Sequence, residues 1–337
     1  MTQVAARSER RTDHIVAALV IAWLAAAVPL AAMLLFGATG PNRFPVLRGT
    51  LHLVYVVTLA CYLIRRGPAA VDVTESPRGL TLDAPVGRLA AAGAALALCV
   101  VGLLDTGLLM LLLAAAALVV LFAWRTRVTV RAGILGVAVS VLAFLSGGIT
   151  FWHHGFVAKP MLLFTLAAVP PMFVAGGLLV ARTRLGAVRM LERRYAAAWW
   201  SFLTGALMFA PLGLANAAYR ARFGPAWVDE WWQPFVLPLW SGIVEEVVFR
   251  VVLVCLLFAL LKPVLGRAPG GGIAAAVLAS AIIFGLGHGK TMGDLLGAGL
   301  GFGLPIGVVF VRRDWEHAVG AHYMINLVPW WMALLAT

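Results

Sequence analysis

Eleven apolar stretches, each near the length needed to cross a bilayer, follow one another at 15–36, 47–64, 89–104, 108–124, 132–152, 161–181, 196–218, 232–261, 272–287, 295–311 and 317–335. A helix rises about 1.5 Å per residue, so roughly 20 apolar residues cross a hydrocarbon core about 30 Å thick. Lipid offers no partner to an unpaired backbone amide, so such a chain is expected to fold as an all-α, polytopic membrane helix bundle of about eleven transmembrane helices. Hydrophobic residues make up 62% of the chain, charged residues 12%, and the mean hydropathy is +0.96, which excludes an ordinary soluble domain. The stretches at 47–64 and 89–104 are short and those at 272–287 and 295–311 are rich in glycine, so their bounds are the least sharp.

A net charge of +12 raises the question of nucleic acid, but the basic residues fall in short clusters between apolar runs rather than on one surface. Topology accounts for them. With the N-terminus cytoplasmic, nineteen of the 26 basic residues fall on the inner side and six on the outer, with Arg250 inside a span. That asymmetry follows the positive-inside rule, and eleven spans then place the C-terminus outside. The first stretch follows Arg7, Arg10 and Arg11 as a signal peptide would, yet it is longer than a signal core and lacks a small-residue cleavage site, so it reads as a retained helix. Cys61, Cys99 and Cys255 lie in separate spans without paired spacing or a histidine cluster, and read as small apolar residues rather than a disulfide or zinc framework.

The polar chemistry is uneven. Residues 1–194 carry six spans with almost no polar residue at mid-depth, and residues 195–337 carry five spans with nearly all of it. The first region reads as a scaffold or substrate-docking surface; equally, both regions pack into one bundle without separable roles. No internal repeat supports an inverted-repeat transporter.

Glu245 and Glu246 are adjacent in the span at 232–261, with Arg250 four residues after the second. Ionisable groups at bilayer depth are costly and usually mark function. Four-residue spacing lets Glu246 and Arg250 pair on one helix face, while Glu245 is rotated by about 100° and left without that partner. An unpaired carboxyl in a dry site is a plausible acid or base; a purely structural Glu–Arg clip with the second acid facing water fits the same spacing. Phe284 and His288 end the span at 272–287, and His322 and Asn326 share a face of the last one. Two polar groups on one face of an apolar helix are expected to turn into the bundle. His52, His153, His154 and His317 read as interfacial residues.

Glu-Glu-x-x-x-Arg, Phe-x-x-x-His and His-x-x-x-Asn, in that order, resemble the CAAX protease and bacteriocin-processing (CPBP, Rce1-like) family of glutamic intramembrane endopeptidases over about residues 195–337. The resemblance implies that Glu245 is the catalytic glutamate, polarising a water with His288; that His322 and Asn326 stabilise the oxyanion; and that Glu246, Arg250 and Phe284 support them. It implies neither a metal nor another cofactor. It implies a protein or peptide substrate at the membrane, prenylated or not, no nucleic acid, and residence as a multi-pass protein of the plasma membrane. A desolvated carboxylate acting as base, with donors aimed at a developing oxyanion, is sound chemistry where water is excluded. The alternative is a non-hydrolytic relative, a transporter, immunity or scaffold protein, using the same cluster for proton coupling or partner binding. Glu245 and His288 around one water, faced by His322 and Asn326, favours the first; their separation favours the second.

Competing signatures are weak. There is no His-Glu-x-x-His for zinc, Ser146 lacks the strand-to-helix context of a serine nucleophile, and the run Gly285 to Thr291 resembles a phosphate loop with its first glycine out of register. Gly293, Gly297 and Gly301, and likewise Gly299, Gly303 and Gly307, recur every four residues and suit close helix packing. Pro305 and Pro170-Pro171 are expected to bend their helices as ordinary membrane prolines do. Trp227, Trp231 and Trp232, in and beside the outer loop 219–231, read as an interfacial belt, with a gate as the alternative. Counting rise along straight helices separates His288 and His322 in depth by about 10 Å or more, so a shared site requires a tilted, short or re-entrant ninth or tenth span.

Overall fold

The computed structural model describes residues 85–154, 159–220, 230–265 and 269–336, and within them the side chains other than those of 85–86, 148–160, 218–220, 269, 333 and 335–336. The expected spans at 15–36 and 47–64, His52, Cys61 and Trp227 lie outside the described residues, as do the side chains of His153 and His154. The described residues form α1 (Pro85–Leu104), α2 (Thr106–Ala123), α3 (Val130–His154), α4 (Lys159–Thr183), α5 (Tyr195–Arg220), α6 (Gln233–Leu265), α7 (Pro269–Gly287), α8 (Met292–Arg312) and α9 (Trp315–Ala336). Each overlies one of the apolar stretches from 89–104 onward. Eight of them, α1 to α8, are long and apolar enough to cross a membrane. This is an integral membrane protein of helices, with no strand among the described residues.

Short turns with defined capping separate the rods. Asp105 alone divides α1 from α2, its carboxylate accepting the Leu108 N–H at 3.0 Å. Thr291 and Asp294 form a reciprocal capping box at the start of α8. Two rods are not uniform: α6 widens to π-helix over Val247–Val254 and α8 over Leu295–Gly303. Such wide turns are rare and concentrate where function resides. The first contains Arg250 and is wholly buried.

Packing centres on α6, which touches α3 and α4 on one side and α9 on another, while α7 and α1 lie along its later half. The most extensive contact is between α5 and α9. Glycine sets that contact: a Cβ on Gly205 would strike the His317 carbonyl oxygen, and one on Gly320 would strike that of Phe202. These backbones meet without side chains between them, as small residues allow in membrane helices. On the opposite side Leu89, Val119, Phe122 and Val130 are exposed, as lipid-facing residues are. Helices on both sides of residue 194 contribute to one hydrophobic cluster.

A second polar cluster ties the α4–α5 loop to the start of α9. The loop reverses through left-handed residues, among them Gly186, whose φ is 65° and where a Cβ would strike Phe310 O. Arg189 pairs with Asp314, Ser201 donates to the same carboxylate at 3.1 Å, and the His317 ring donates to it through Nδ1 at 2.8 Å. The Trp315 N–H donates to Ala187 O at 2.8 Å, and the Met190 N–H to Glu316 Oε1 at 2.8 Å. His317, read from sequence as interfacial, is therefore buried and bonded; its acceptor three residues earlier in chain was the missed signal.

Two outcomes test this packing. Gly320→Val is expected to overpack α5 against α9 and lower the thermal midpoint of the detergent-purified protein, at a cost of about 1–3 kcal/mol. Burial alone would raise the Asp314 carboxyl, but hydrogen bonds and charge from His317, with Arg189, hold it down at about 2. Its unfolded value is about 3.9, so the stabilisation is present above that pH and lost as pH falls toward 2. Thermal melts across pH 5 to 2 should show this acid slope in the wild type and a flatter one in Asp314→Asn.

Candidate active site

Glu246 lies at the last α-helical position before the π-segment of α6, with its side chain wholly buried. Its two oxygens serve two helices. Oε2 faces Arg250 Nε at 3.2 Å, and Oε1 accepts a hydrogen bond from His322 Nδ1 of α9 at 2.8 Å. The 3.2 Å contact is an ion pair whose N–H points off the oxygen line, so it is a charge contact more than a directed hydrogen bond. Arg250 is itself buried; its Nη1 donates to Ser280 of α7 at 3.2 Å, and the Ser280 hydroxyl donates to Phe249 O at 2.9 Å. The expected Glu246–Arg250 pair is present, across the junction of α and π geometry.

With its Nδ1–H committed to Glu246, the His322 ring presents Nε2 to Glu245 Oε2 at 3.7 Å. This is too long for a hydrogen bond and close enough for a charge interaction when the imidazole is protonated on both nitrogens. Glu245 has no protein hydrogen-bond partner on Oε2, and its side chain keeps 17% of its surface exposed, while Glu246 keeps none. The two adjacent acids thus differ as their rotation about the helix requires. One is locked between two cations or potential cations, and the other reaches partly accessible space.

Phe284 joins these groups to His288. Its ring meets those of His322 and His288 edge-on, with centroids 5.8 and 4.7 Å away, and Arg250 lies over it at 5.0 Å. The two histidines that helix counting separated in depth therefore contact the same aromatic ring. His288 is exposed at the end of α7, and its Nδ1–H donates to Phe284 O at 2.8 Å, which leaves Nε2 as its available nitrogen. It forms no ion pair with either glutamate. Asn326, one turn after His322, donates to Ser241 at 2.9 Å, and Ser241 donates to Pro238 O at 3.2 Å. Ser241 and Ser280 were not singled out from sequence. Ser241 stands four residues before Glu245 on the same face, so spacing could have found it; Ser280, a lone hydroxyl in an apolar helix, had no spacing partner.

The arrangement is a carboxylate–imidazole–carboxylate chain running from dry interior to accessible edge, backed by a guanidinium. Residues 225–328 match the family model described as Type II CAAX prenyl endopeptidase Rce1-like. Over this segment the chain is similar to that family. The segment holds all seven expected site residues and is shorter than the 195–337 region over which the sequence resembles the family. The match supports a protease-type function within the membrane, in keeping with the apolar helices around it. No curated protein and no solved structure matches the chain.

The buried cluster makes an asymmetric prediction for its two acids. Glu246→Ala strands Arg250 and His322 in a dry interior and is expected to cost about 3–5 kcal/mol, seen as a large fall in thermal midpoint. Glu245→Gln removes no directed hydrogen bond and should leave that midpoint within a few degrees of wild type. Equal losses would show that the two acids are structurally equivalent.

Proposed function

We propose that this protein is a glutamic-type intramembrane endopeptidase that cleaves a membrane-associated or prenylated peptide by water attack, without a covalent intermediate. What carries the reading is Glu245: its side chain keeps 17% of its surface exposed, while its buried Oε2 is unbonded by protein and lies 3.7 Å from a histidine whose other nitrogen is fixed by Glu246. Glu245 takes a proton from water as the oxygen attacks the scissile carbonyl, and that proton then passes to the departing amine. His322, oriented by Glu246 and protonated on both nitrogens, donates Nε2–H to the developing oxyanion together with Asn326, and His288 helps to hold the water. Arg250 offsets the charge of the two carboxylates. Asn326 reaches this task by rotating from Ser241, a change that substrate binding would drive.

The wider arrangement belongs to the same proposal. The full chain crosses the plasma membrane about eleven times with its N-terminus cytoplasmic; residues 195–337 form the catalytic region, and residues 1–194 support it or dock substrate. Its partners are a protein or peptide at the membrane and the bilayer itself.

A second reading rests on one observation: His288 and Asn326 direct their hydrogen bonds to Phe284 O and Ser241 rather than to the glutamates. A non-hydrolytic protein would use the same chain for proton coupling or partner binding. Comparing membrane and secreted proteomes of cells carrying wild type or Glu245→Gln separates the two. Hydrolysis predicts peptides whose appearance falls by about 10²–10⁴-fold in the variant, the range for loss of a general base. Unchanged cleavage products with a folded variant would remove Glu245 from the mechanism.

A further inference from the structure

Away from the glutamates, a cavity of about 220 Å³ opens where the start of α3 meets α4 and the α4–α5 loop. Its lining changes character along α3. Arg127 and Arg131 stand at one end, and Leu135, Val174, Leu178 and Leu191 wall the remainder. A guanidinium rim on an apolar wall, at the end of a membrane bundle, has the polarity of a phospholipid: charged head, then acyl chain.

The two segments that meet at the cavity are mostly basic, although Asp314 neutralises Arg189 and Glu316 abuts the same loop. Residues 125–131 and 182–194 contain eight arginines, and Glu192 is the only acid among them. Arg131 is held in place by the Tyr195 hydroxyl, by Met190 O at 3.1 Å and by stacking over the Tyr195 ring at 5.5 Å. Its charge is therefore fixed at the rim before any ligand arrives. Arg127 is exposed, and no described residue pairs with it. Guanidinium groups match phosphate oxygens in geometry as well as charge, and basic pockets between membrane helices are suited to anionic headgroups.

We propose that this cavity is a binding site for an anionic phospholipid, with the phosphate between Arg127 and Arg131 and an acyl chain along Leu135, Val174 and Leu178. The rim shares its loop with the anchor of α9, since Arg131 bonds Met190 O while the Met190 N–H bonds Glu316. A lipid seated there braces the loop that holds the helix carrying His322. The site stands independently of any hydrolytic activity, because none of its residues touches the glutamate cluster.

Native mass spectrometry of the full-length protein in mild detergent tests this with phosphatidylglycerol and phosphatidylcholine of identical acyl chains. The wild type should retain phosphatidylglycerol in preference. Arg127→Gln should lower that retention about fivefold, the effect of one interfacial charge, while Arg125→Gln, outside the cavity, should leave it unchanged. Glycerol phosphate, which has the head without the chains, should not displace the lipid. Equal retention of the two lipids by the wild type would overturn the proposal without need of any variant. So would equal losses in the two arginine variants, which would mean diffuse surface charge, or displacement by glycerol phosphate, which would mean an anion site without an acyl groove.

Discussion

Glu246 has no access to solvent and is shared between Arg250 on its own helix and His322 on α9, while Arg250 reaches on to Ser280 of α7. A buried carboxylate is tolerated only when such partners replace its water, and here the partners come from three helices. Their mutual position is therefore a condition for placing the charge at all. The imidazole inherits a fixed orientation, since one nitrogen is spoken for and the other turns to Glu245. An asymmetric pair of acids, one sealed and one partly open, is the chemical product of that arrangement.

Holding α9 close enough for this bond falls to residues that have no chemistry of their own. Gly205 and Gly320 let α5 and α9 meet backbone to backbone, and the Arg189–Asp314–His317 cluster pins the first turn of α9 to the α4–α5 loop. From His317 to His322 is little more than one helical turn, so the anchor at the helix start and the bond to Glu246 reinforce one register. The helix that supplies the site's histidine also carries Glu316, His317 and Asn326. Each of these three bonds to protein: Glu316 to the Met190 N–H, His317 to Asp314 and Asn326 to Ser241.

Much of this was legible in the sequence because lipid makes the rules strict. Apolar runs of membrane length became the nine described rods, and four-residue spacing gave the Glu246–Arg250 pair and the common face of His322 and Asn326. Where the reading fell short, the missing information was three-dimensional. His317 looks interfacial by position, but its partner Asp314 comes from the turn before α9 and is itself held by Arg189, from a loop 125 residues earlier. Depth counting parted His288 from His322 because it assumed straight, upright, uniform helices; two rods carry π-segments, and Phe284 contacts both rings.

The sequence by itself determined that the chain is a helical membrane protein and that its costly charges gather on the span with Glu245 and Glu246, because hydropathy and helical period act locally along the chain. Only the tertiary structure decided which acid is sealed and which is open, that His322 bridges them, and that Asn326 rests on Ser241. Those depend on which helix faces approach, and that is set by glycine contacts and polar anchors between residues far apart in sequence.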